Sequence, residues 1–121
     1  FTIHRIAGQA FLDQMDSCRA VVTTAGFESI CEAMYLGKPV LMMPMPNHYE
    51  QLCNAHDAEQ AGAGVISERL FDLQKLLDYL PRHRPETSPT FRQWQQQCAR
   101  FFLKHLELAA QSVEAPPSPV I

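Results

Sequence analysis

Short apolar runs alternate along this chain with segments in which apolar residues recur every three or four positions. The first pattern is typical of buried strands and the second of amphipathic helices. Strands are predicted over 1–6, 19–24, 39–43 and 65–66, and helices over 11–18, 27–36, 51–61 and 70–80. An alternation of this kind predicts a parallel sheet with right-handed helical crossovers.

The predicted fold class is α/β, the second half of a Rossmann-like parallel-sheet domain with a long C-terminal helix. The run 39–43 is continuously apolar, as a central parallel strand should be, and the run 20–22 also indicates burial on both faces. Ser88 and Pro89 predict the start of the last helix, because serine caps free amides and proline suits a first turn. The expected divisions are a partial Rossmann-like domain over 1–80, a connection over 81–89, a helix over 90–111 and a flexible tail over 112–121.

Composition narrows the classes of partner. The chain has 121 residues and a formal net charge of -3, and its one basic cluster is Arg82, His83 and Arg84, so we expect no nucleic-acid partner. No apolar run approaches the ~20 residues that a membrane-spanning helix needs. We expect a cytoplasmic protein, with peripheral attachment at the inner face of the membrane as an alternative. The absence of an initial methionine favours a piece of a longer protein.

The four cysteines predict reduced, mostly buried thiols, because they are widely spaced and lie in segments with helical character. They are Cys18, Cys31, Cys53 and Cys98. Cys53 and His56 have a C-x-x-H spacing, but no second ligand pair follows at the distance of a zinc site. No metal site is predicted.

Residues 24–29, Thr-Ala-Gly-Phe-Glu-Ser, mark a strand that gives way to a helix. The first amides of a helix have no internal partner, so this turn suits a phosphate or diphosphate. Gly26 would let the ligand approach the backbone, and Thr24 and Ser29 would add hydroxyls. The alternative is that Gly26 only makes the turn and Ser29 only caps the helix.

Glu28 and Glu32 lie one helical turn apart and share a face. The helix dipole favours Glu28 in the first turn without any ligand. Glu32 lies among apolar residues of a helix that must pack on the sheet, so its carboxylate needs partners. The two hydroxyls of a ribose would supply them.

A second polar segment, 44–51, follows the predicted central strand, and Asn54 comes one helical turn after Glu50. Because parallel strands end at the same edge, this loop and the turn at 24–29 should share one site. Glu50, Gln51 and Asn54 are residue types that read sugar hydroxyls. The alternative is a capped helix start, with Asn47 as the cap and Glu50 at the third helical position. His48 could act as a base, although a loop histidine is the favoured interpretation.

These segments together resemble the donor-binding signature of nucleotide-sugar glycosyltransferases with two facing Rossmann-like domains, the GT-B architecture. The similarity is to the group of lipid-linked peptidoglycan-precursor N-acetylglucosaminyltransferases and UDP-glycosyltransferases. Its frame is a glycine turn, an acid six residues later, Gly-x-Pro, a strand ending in proline, then acid-Gln and Asn-Ala. Here the frame falls on Gly26, Glu32, Gly37 with Pro39, Pro44, Glu50 with Gln51, and Asn54 with Ala55.

The resemblance implies a role for each part of the frame. The diphosphate of a nucleotide-sugar would lie on Thr24, Ala25, Gly26, Phe27 and Ser29, and Glu32 would hold the ribose. Glu50 and Gln51 would contact the transferred sugar, with Asn54 supporting their loop as part of the sugar-binding set. Thr24 and Glu28 depart from the family pattern, since plant members have histidine and asparagine around the diphosphate. An acid beside phosphate is unfavourable unless it points away.

The resemblance also implies what this segment lacks. The catalytic base and the acceptor pocket of such enzymes come from an N-terminal domain, so no catalytic residue is assigned here and the segment alone should be inactive. The expected partners are a nucleotide-sugar donor substrate and a missing N-terminal domain or partner subunit, with a homo-oligomer through an exposed sheet edge as a further form. No cofactor or metal is expected. A split glycosyltransferase subunit and a sugar-nucleotide 2-epimerase are the alternatives, and the loop at 44–50 lacks the arginines of the epimerases.

Overall fold

The computed structural model describes residues 1–5, 8–68 and 71–114 of the chain. Helices and strands alternate through most of it, which confirms the α/β class with a long C-terminal helix. The elements are α1 (Gly8–Ser17), β1 (Val21–Thr23), α2 (Phe27–Tyr35), β2 (Val40–Met42), α3 (Tyr49–Gln60), β3 (Gly64–Ile66), α4 (Leu73–Tyr79) with a 3₁₀ turn at Leu80–Arg82, and α5 (Thr87–Glu114).

The three strands form a parallel sheet in the order β1-β2-β3. Val40 in β2 pairs with Val21 in β1 and with Gly64 in β3. All three residues of β2 are 0% exposed, as predicted for a central strand. Because the strands are parallel, their carboxyl ends meet at one edge of the sheet, and we call this the carboxyl edge.

The core lies where α1, α2 and α3 pack on the sheet, and small side chains make much of it. Alanine at five of its positions lets the helices and strands approach each other closely. Its buried members are Met15, Ala25, Ile30, Ala33, Val40, Met42, Ala55, Ala58 and Ala63.

β1 differs from its prediction because it is an edge strand of the described sheet. Val22 is 41% exposed, where the apolar run 20–22 predicted burial on both faces. A cavity of about 330 Å³ explains the exposure, since Val22 lines it together with Phe11 and Met15 of α1. The helix therefore covers this strand only in part.

The strand predicted over 1–6 is wrong for the residues described. Residues 1–5 have no strand structure, Ile3 is 97% exposed, and Ile6 lies outside the described residues. An isolated extended segment gains nothing over hydration for its backbone groups, and within the described ranges no strand pairs with this one.

Two glycines end the helices that precede β2 and β3. Gly37 and Gly62 have φ values of 69° and 78°, in the left-handed region that favours glycine. At each end the glycine N–H and the next N–H bond back to carbonyls of the last helical turn, for example Lys38 to Ala33 at 2.8 Å. This pattern is the Schellman motif, and it confirms Gly37 as the predicted helix stop.

Polar side chains of the C-terminal segments hold these two helix ends. The Tyr79 hydroxyl donates to the Gly62 carbonyl at 2.9 Å, and burial raises the pKa of Tyr79, which keeps the hydroxyl protonated as a donor. Nε2 of His83 lies 3.1 Å from the Gly37 carbonyl oxygen. Ser88 donates to a carbonyl in the last turn of α2 at 2.9 Å. These contacts fasten the edge of the sheet opposite to the carboxyl edge.

A second compact unit begins at residue 92, and the structure describes it over 92–114, in α5. Its large apolar side chains are exposed, among them Trp94, Phe101 and Phe102. The observed helix, Thr87–Glu114, is longer than the one predicted over 90–111 and includes 112–114 of the predicted tail. Residues 115–121 lie outside the described residues. Within the ranges described, no helix has both the length and the apolarity to cross a membrane.

Replacement of Gly64 by alanine tests how tightly β3 lies against β2. A Cβ at this position would overlap the carbonyl group of Val40, whose backbone is fixed by pairing on both sides. We expect Gly64→Ala to lower the free energy of unfolding by about 3 kcal/mol, measured by urea denaturation. Gly8→Ala is the matched control, since a Cβ there meets no atom within 4 Å, and an equal loss in both variants would contradict the close approach.

Candidate functional site

The turn after β1 and the loop after β2 lie next to each other at the carboxyl edge. The pairing of the two strands continues into these segments, because the N–H of Met43 donates to the carbonyl of Thr23 at 2.8 Å. α2 and α3, which begin at the ends of these segments, also pack against each other. The sheet thereby brings together the two segments that the sequence assigned to one site.

The turn at 24–26 is built differently from its prediction. Ala25 takes the left-handed conformation, with φ of 67°, and is 0% exposed. Gly26 has φ of -63° and ψ of 137°, a conformation open to any residue, so the turn does not require glycine there. A Cβ at Gly26 would meet no atom within 4 Å. The glycine therefore leaves open space beside the backbone.

The N-terminus of α2 has no side-chain cap. Gly26 is its N-cap residue and makes no capping hydrogen bond, and Ser29, the alternative cap, lies within the helix and lines the 330 Å³ cavity beside β1. By contrast, α3 and α4 are capped by the side chains of His48 and Asp72. The first amides of α2 keep their donor capacity and the positive end of the helix dipole.

A hydrogen bond joins the two parts of the site. The Asn54 side chain, on the second turn of α3, donates from Nδ2 to the carbonyl oxygen of Ala25 at 3.2 Å. It holds the residue with the left-handed backbone, which costs on the order of 1 kcal/mol in a non-glycine residue. Asn54 thus supports the turn after β1, whereas the sequence prediction had it supporting the loop after β2.

The loop after β2 is held by the start of α3. Oε1 of Gln51 accepts from the N–H of Met45 at 2.9 Å, which leaves the amide donors of this side chain. Nδ1 of His48 accepts from the N–H of Gln51 at 3.5 Å. The helix start is therefore capped, as the alternative interpretation held, but by His48, while Asn47 precedes the cap in the left-handed region with φ of 62°.

The two acids predicted to bind hydroxyls lie near the starts of their helices, Glu32 in the second turn of α2 and Glu50 in the first turn of α3. Glu32 is half-buried on α2, one turn beyond Glu28, and Glu50 is exposed in the first turn of α3. Burial and the neighbouring Glu32 carboxylate raise the pKa of the Cys31 thiol, which disfavours a role as nucleophile. In the described part of the chain, no side-chain hydrogen bond links the Glu32 or Glu50 carboxylate to another predicted site residue.

A cavity of about 740 Å³ opens at the carboxyl edge between the ends of β2 and β3, and we call it the β2–β3 cavity. Three segments surround it: the loop 44–48, one face of α3, and residues 66–68 with Lys75. None of the predicted donor-binding residues lines it. It forms a second compartment, separated from the turn after β1 by the loop after β2.

Sequence reasoning missed the face of α3 that lines this cavity. Tyr49, Leu52, His56 and Glu59 follow one another at spacings of three and four residues, which places them on one side of a helix. That periodicity was available in the sequence, but it mixes aromatic, aliphatic and charged residues and so gives no apolar stripe. The apolar face of α3 is the alanine pair Ala55 and Ala58.

The described residues contain no group of three histidine, cysteine or acidic side chains arranged to hold a metal ion. Cys53 is half-buried, whereas His56 lines the β2–β3 cavity, so the two residues of the C-x-x-H pair lie in different surroundings. The arrangement at the carboxyl edge can act through amides, carboxylates and a helix dipole.

Comparison with known proteins gives matches along most of the chain. The family model described as Glycosyl transferase family 1 matches residues 1–83. The chain is 32% identical over 107 residues to the UDP-N-acetylglucosamine--N-acetylmuramyl-(pentapeptide) pyrophosphoryl-undecaprenol N-acetylglucosamine transferase of Bartonella tribocorum, covering 86% of this chain and 25% of that protein. The protein of the same name from Lactobacillus helveticus is 46% identical over 48 residues, 38% of this chain and 13% of that protein.

The chain therefore spans between 13% and 25% of the length of these curated relatives. The comparison with solved structures found no significant match to the chain.

Asn54→Ala tests the link between α3 and the turn after β1. The variant removes the donor to the Ala25 carbonyl, which is buried and held in a left-handed turn. We expect the free energy of unfolding to fall by about 1 kcal/mol and amide exchange at 24–27 to speed up, followed by hydrogen exchange. Gln60→Ala, an exposed change on the same helix, should leave both unaltered; unchanged exchange in Asn54→Ala would argue against the link.

Proposed function

Because this chain belongs to glycosyl transferase family 1, we propose that it is the donor-binding part of a glycosyltransferase. The enzyme transfers a sugar from a nucleotide-sugar to a hydroxyl of an acceptor. A UDP-sugar is the proposed donor, and the printed names of the relatives, which begin with UDP-N-acetylglucosamine, support that choice.

The observation that carries the proposal is the hydrogen bond from Asn54 to Ala25, because it fastens the turn after β1 to the helix that follows the loop after β2. A donor in which a diphosphate joins a nucleoside to the transferred sugar would contact both segments, and it needs them in a fixed relation. The non-glycine residues with left-handed φ in the described part are Ala25 and Asn47, one in each segment. Such strain clusters at functional sites.

In the proposed site, each part of the donor meets a chemically suited group. The uncapped amides of α2, with the open space beside Gly26, take the diphosphate. The ribose hydroxyls donate to the Glu32 carboxylate, and the sugar contacts the α3 start. The proposed residues are Thr24, Ala25, Gly26, Phe27 and Ser29 for the diphosphate, Glu32 for the ribose, and Glu50, Gln51 and Asn54 for the sugar.

The contribution of this segment to the reaction is electrostatic. As the bond between the sugar and the diphosphate breaks, negative charge grows on the leaving oxygen, and the amides at the N-terminus of α2 stabilise it. The proton acceptor for the attacking hydroxyl is proposed to lie in another domain. We therefore propose that the segment alone is inactive and uses no cofactor.

The missing part is an N-terminal domain of the same protein or, as a second candidate, a partner subunit. The position of β1 at an edge of the described sheet favours a further strand beside it, from either source. We propose a cytoplasmic protein, at the inner face of the membrane where its acceptor requires it, with no nucleic-acid partner.

Gly26→Ala and Glu32→Gln test the donor site in the longest chain that carries this segment. The new Cβ at Gly26 fills the space proposed for the diphosphate while the fold tolerates it, and Glu32→Gln removes the charged acceptor for the ribose. We expect each variant to weaken binding of UDP-N-acetylglucosamine at least tenfold, about 1.4 kcal/mol, measured by calorimetry. Gly8→Ala is the control, and wild-type affinity in both site variants would rule out this assignment.

Metal removal tests the electrostatic role of the helix amides. Because those amides are proposed to take the place of a cation at the leaving diphosphate, we expect EDTA to change little in the longest chain that carries this segment. Its affinity for UDP-N-acetylglucosamine and its rate of transfer should stay within about twofold. A tenfold fall that Mg²⁺ restores would contradict the proposed role.

A further inference from the structure

The helix α5 carries an apolar side that the proposed donor site does not use. Apolar residues recur along it at spacings of three, four and seven, and at about 100° per residue these spacings place them on one side of the helix. We call this side the α5 face. Its apolar members are Cys98, Phe101, Phe102, Leu106, Leu108 and Val113.

The α5 face is large enough to form an interface. Its five large side chains are between 51% and 85% exposed. With ~150–200 Å² for a whole side chain of this kind, they expose roughly 500 Å² of apolar surface, near the upper limit for a monomeric protein. A stable interface takes about 800 Å² from each partner, which this face and its polar rim would supply.

Two polar residues on the same side of α5 are suited to a dry contact. Nδ1 of His105 donates to the carbonyl oxygen of Phe101 at 2.8 Å, and the two rings stack with their centroids 5.3 Å apart. The Ser112 hydroxyl donates to the carbonyl oxygen of Leu108 at 3.0 Å. Because these donors are already bonded within the helix, covering the α5 face does not strip them of a partner.

Charge argues against a lipid surface as the cover of the α5 face. The charged residues between 98 and 113 are Arg100, Lys104 and Glu107, and all three lie on the other side of the helix. Helices that lie in an anionic membrane surface are rich in lysine and arginine, whereas here one acid offsets two cations in a chain of net charge -3.

The spacing along the α5 face favours another helix of the same kind. Positions 98, 101, 105, 108 and 112 alternate steps of three and four, the repeat at which two helices pack side by side over their length. A face without charge brings no like charges together when it meets its own copy, as an interface with two-fold symmetry requires.

We propose that the α5 face is a self-association surface, through which two copies of the protein pack their α5 helices side by side about a two-fold axis. The occupant of the face is a second copy of this chain. The dimer is independent of the proposed donor site, whose residues lie in the other compact unit.

The test is sedimentation velocity of the longest chain that carries this segment, over a hundredfold range of concentration. We expect a dimer that dissociates on dilution. Leu108→Ser and Phe101→Ala should each raise the Kd of the dimer at least tenfold, because each removes apolar contact from the centre of the face. Alanine also favours a helix, so Phe101→Ala keeps α5 intact.

Leu103→Ser is the matched control for Leu108→Ser. Leu103 is 56% exposed on the same helix, but it lies on the side opposite to Phe101 and Leu108. The dimer Kd of this variant should stay within twofold of the wild type. An equal weakening by Leu103→Ser and Leu108→Ser would assign the effect to loss of helix and overturn the proposal.

Other covers of the face give different results. A wild-type chain that stays monomeric throughout the concentration range overturns the proposal, and flotation of that monomer with phosphatidylglycerol vesicles would assign the face to a lipid surface. A dimer that Leu108→Ser and Phe101→Ala leave unchanged has its interface elsewhere, which also overturns it. Both variants should bind UDP-N-acetylglucosamine within twofold of the wild type, so the outcome is separate from the donor test.

Discussion

The structure depends on the close pairing of β2 with a strand on each side. The backbone of Val40–Met42 is bonded to β1 and to β3, and its side chains are wholly buried under the helices. β3 can lie this close to β2 because residue 64 is glycine, since a Cβ there would overlap the carbonyl group of Val40. This pairing also fixes the positions of the loops at the carboxyl edge, since each loop begins where one of the three strands ends.

The two edges of the sheet have opposite chemistry. At the edge before the strands, carbonyl groups left free by the ends of α2 and α3 are satisfied by glycine turns and by Tyr79, His83 and Ser88. At the carboxyl edge, the N-terminus of α2 is left without a cap. A protein that satisfies its helix ends at one edge and leaves one open at the other has an asymmetry that favours ligand binding at the open edge.

Sequence patterns predicted the fold where one rule decided the outcome. The continuous apolar run predicted β2, because such a run must be buried on both faces. Gly37 predicted the end of α2, because glycine readily takes the left-handed conformation that ends a helix. The turn at 24–26 was harder, since a glycine is the usual candidate for a left-handed residue and the structure uses Ala25 instead. A tertiary hydrogen bond from Asn54, a residue 29 positions away, holds that carbonyl in place.

In the candidate site too, local sequence does not predict a conformation that tertiary contacts decide. Asn47 and His48 both suit a helix cap, and local chemistry does not decide between them; the path of the loop does, with Asn47 in the left-handed region and His48 as the cap. The strand expected over 1–6 needed a neighbouring strand, and within the described residues no strand pairs with 1–5. The residue pattern of that segment does not show whether such a neighbour exists. The β2–β3 cavity lay beyond prediction because its walls come from three segments that meet only in the folded sheet.

The loop after β2 is the element that relates the two compartments. On one side Gln51 anchors it to α3, whose next turn carries Asn54 and reaches the turn after β1. On the other side its residues 44–48 form a wall of the β2–β3 cavity. The position of the loop is therefore linked to the turn after β1 through two hydrogen bonds and one helix. A fixed relation between the two segments suits the proposed donor, which would contact both of them, because binding in a fixed orientation is what prepares a bound molecule to react.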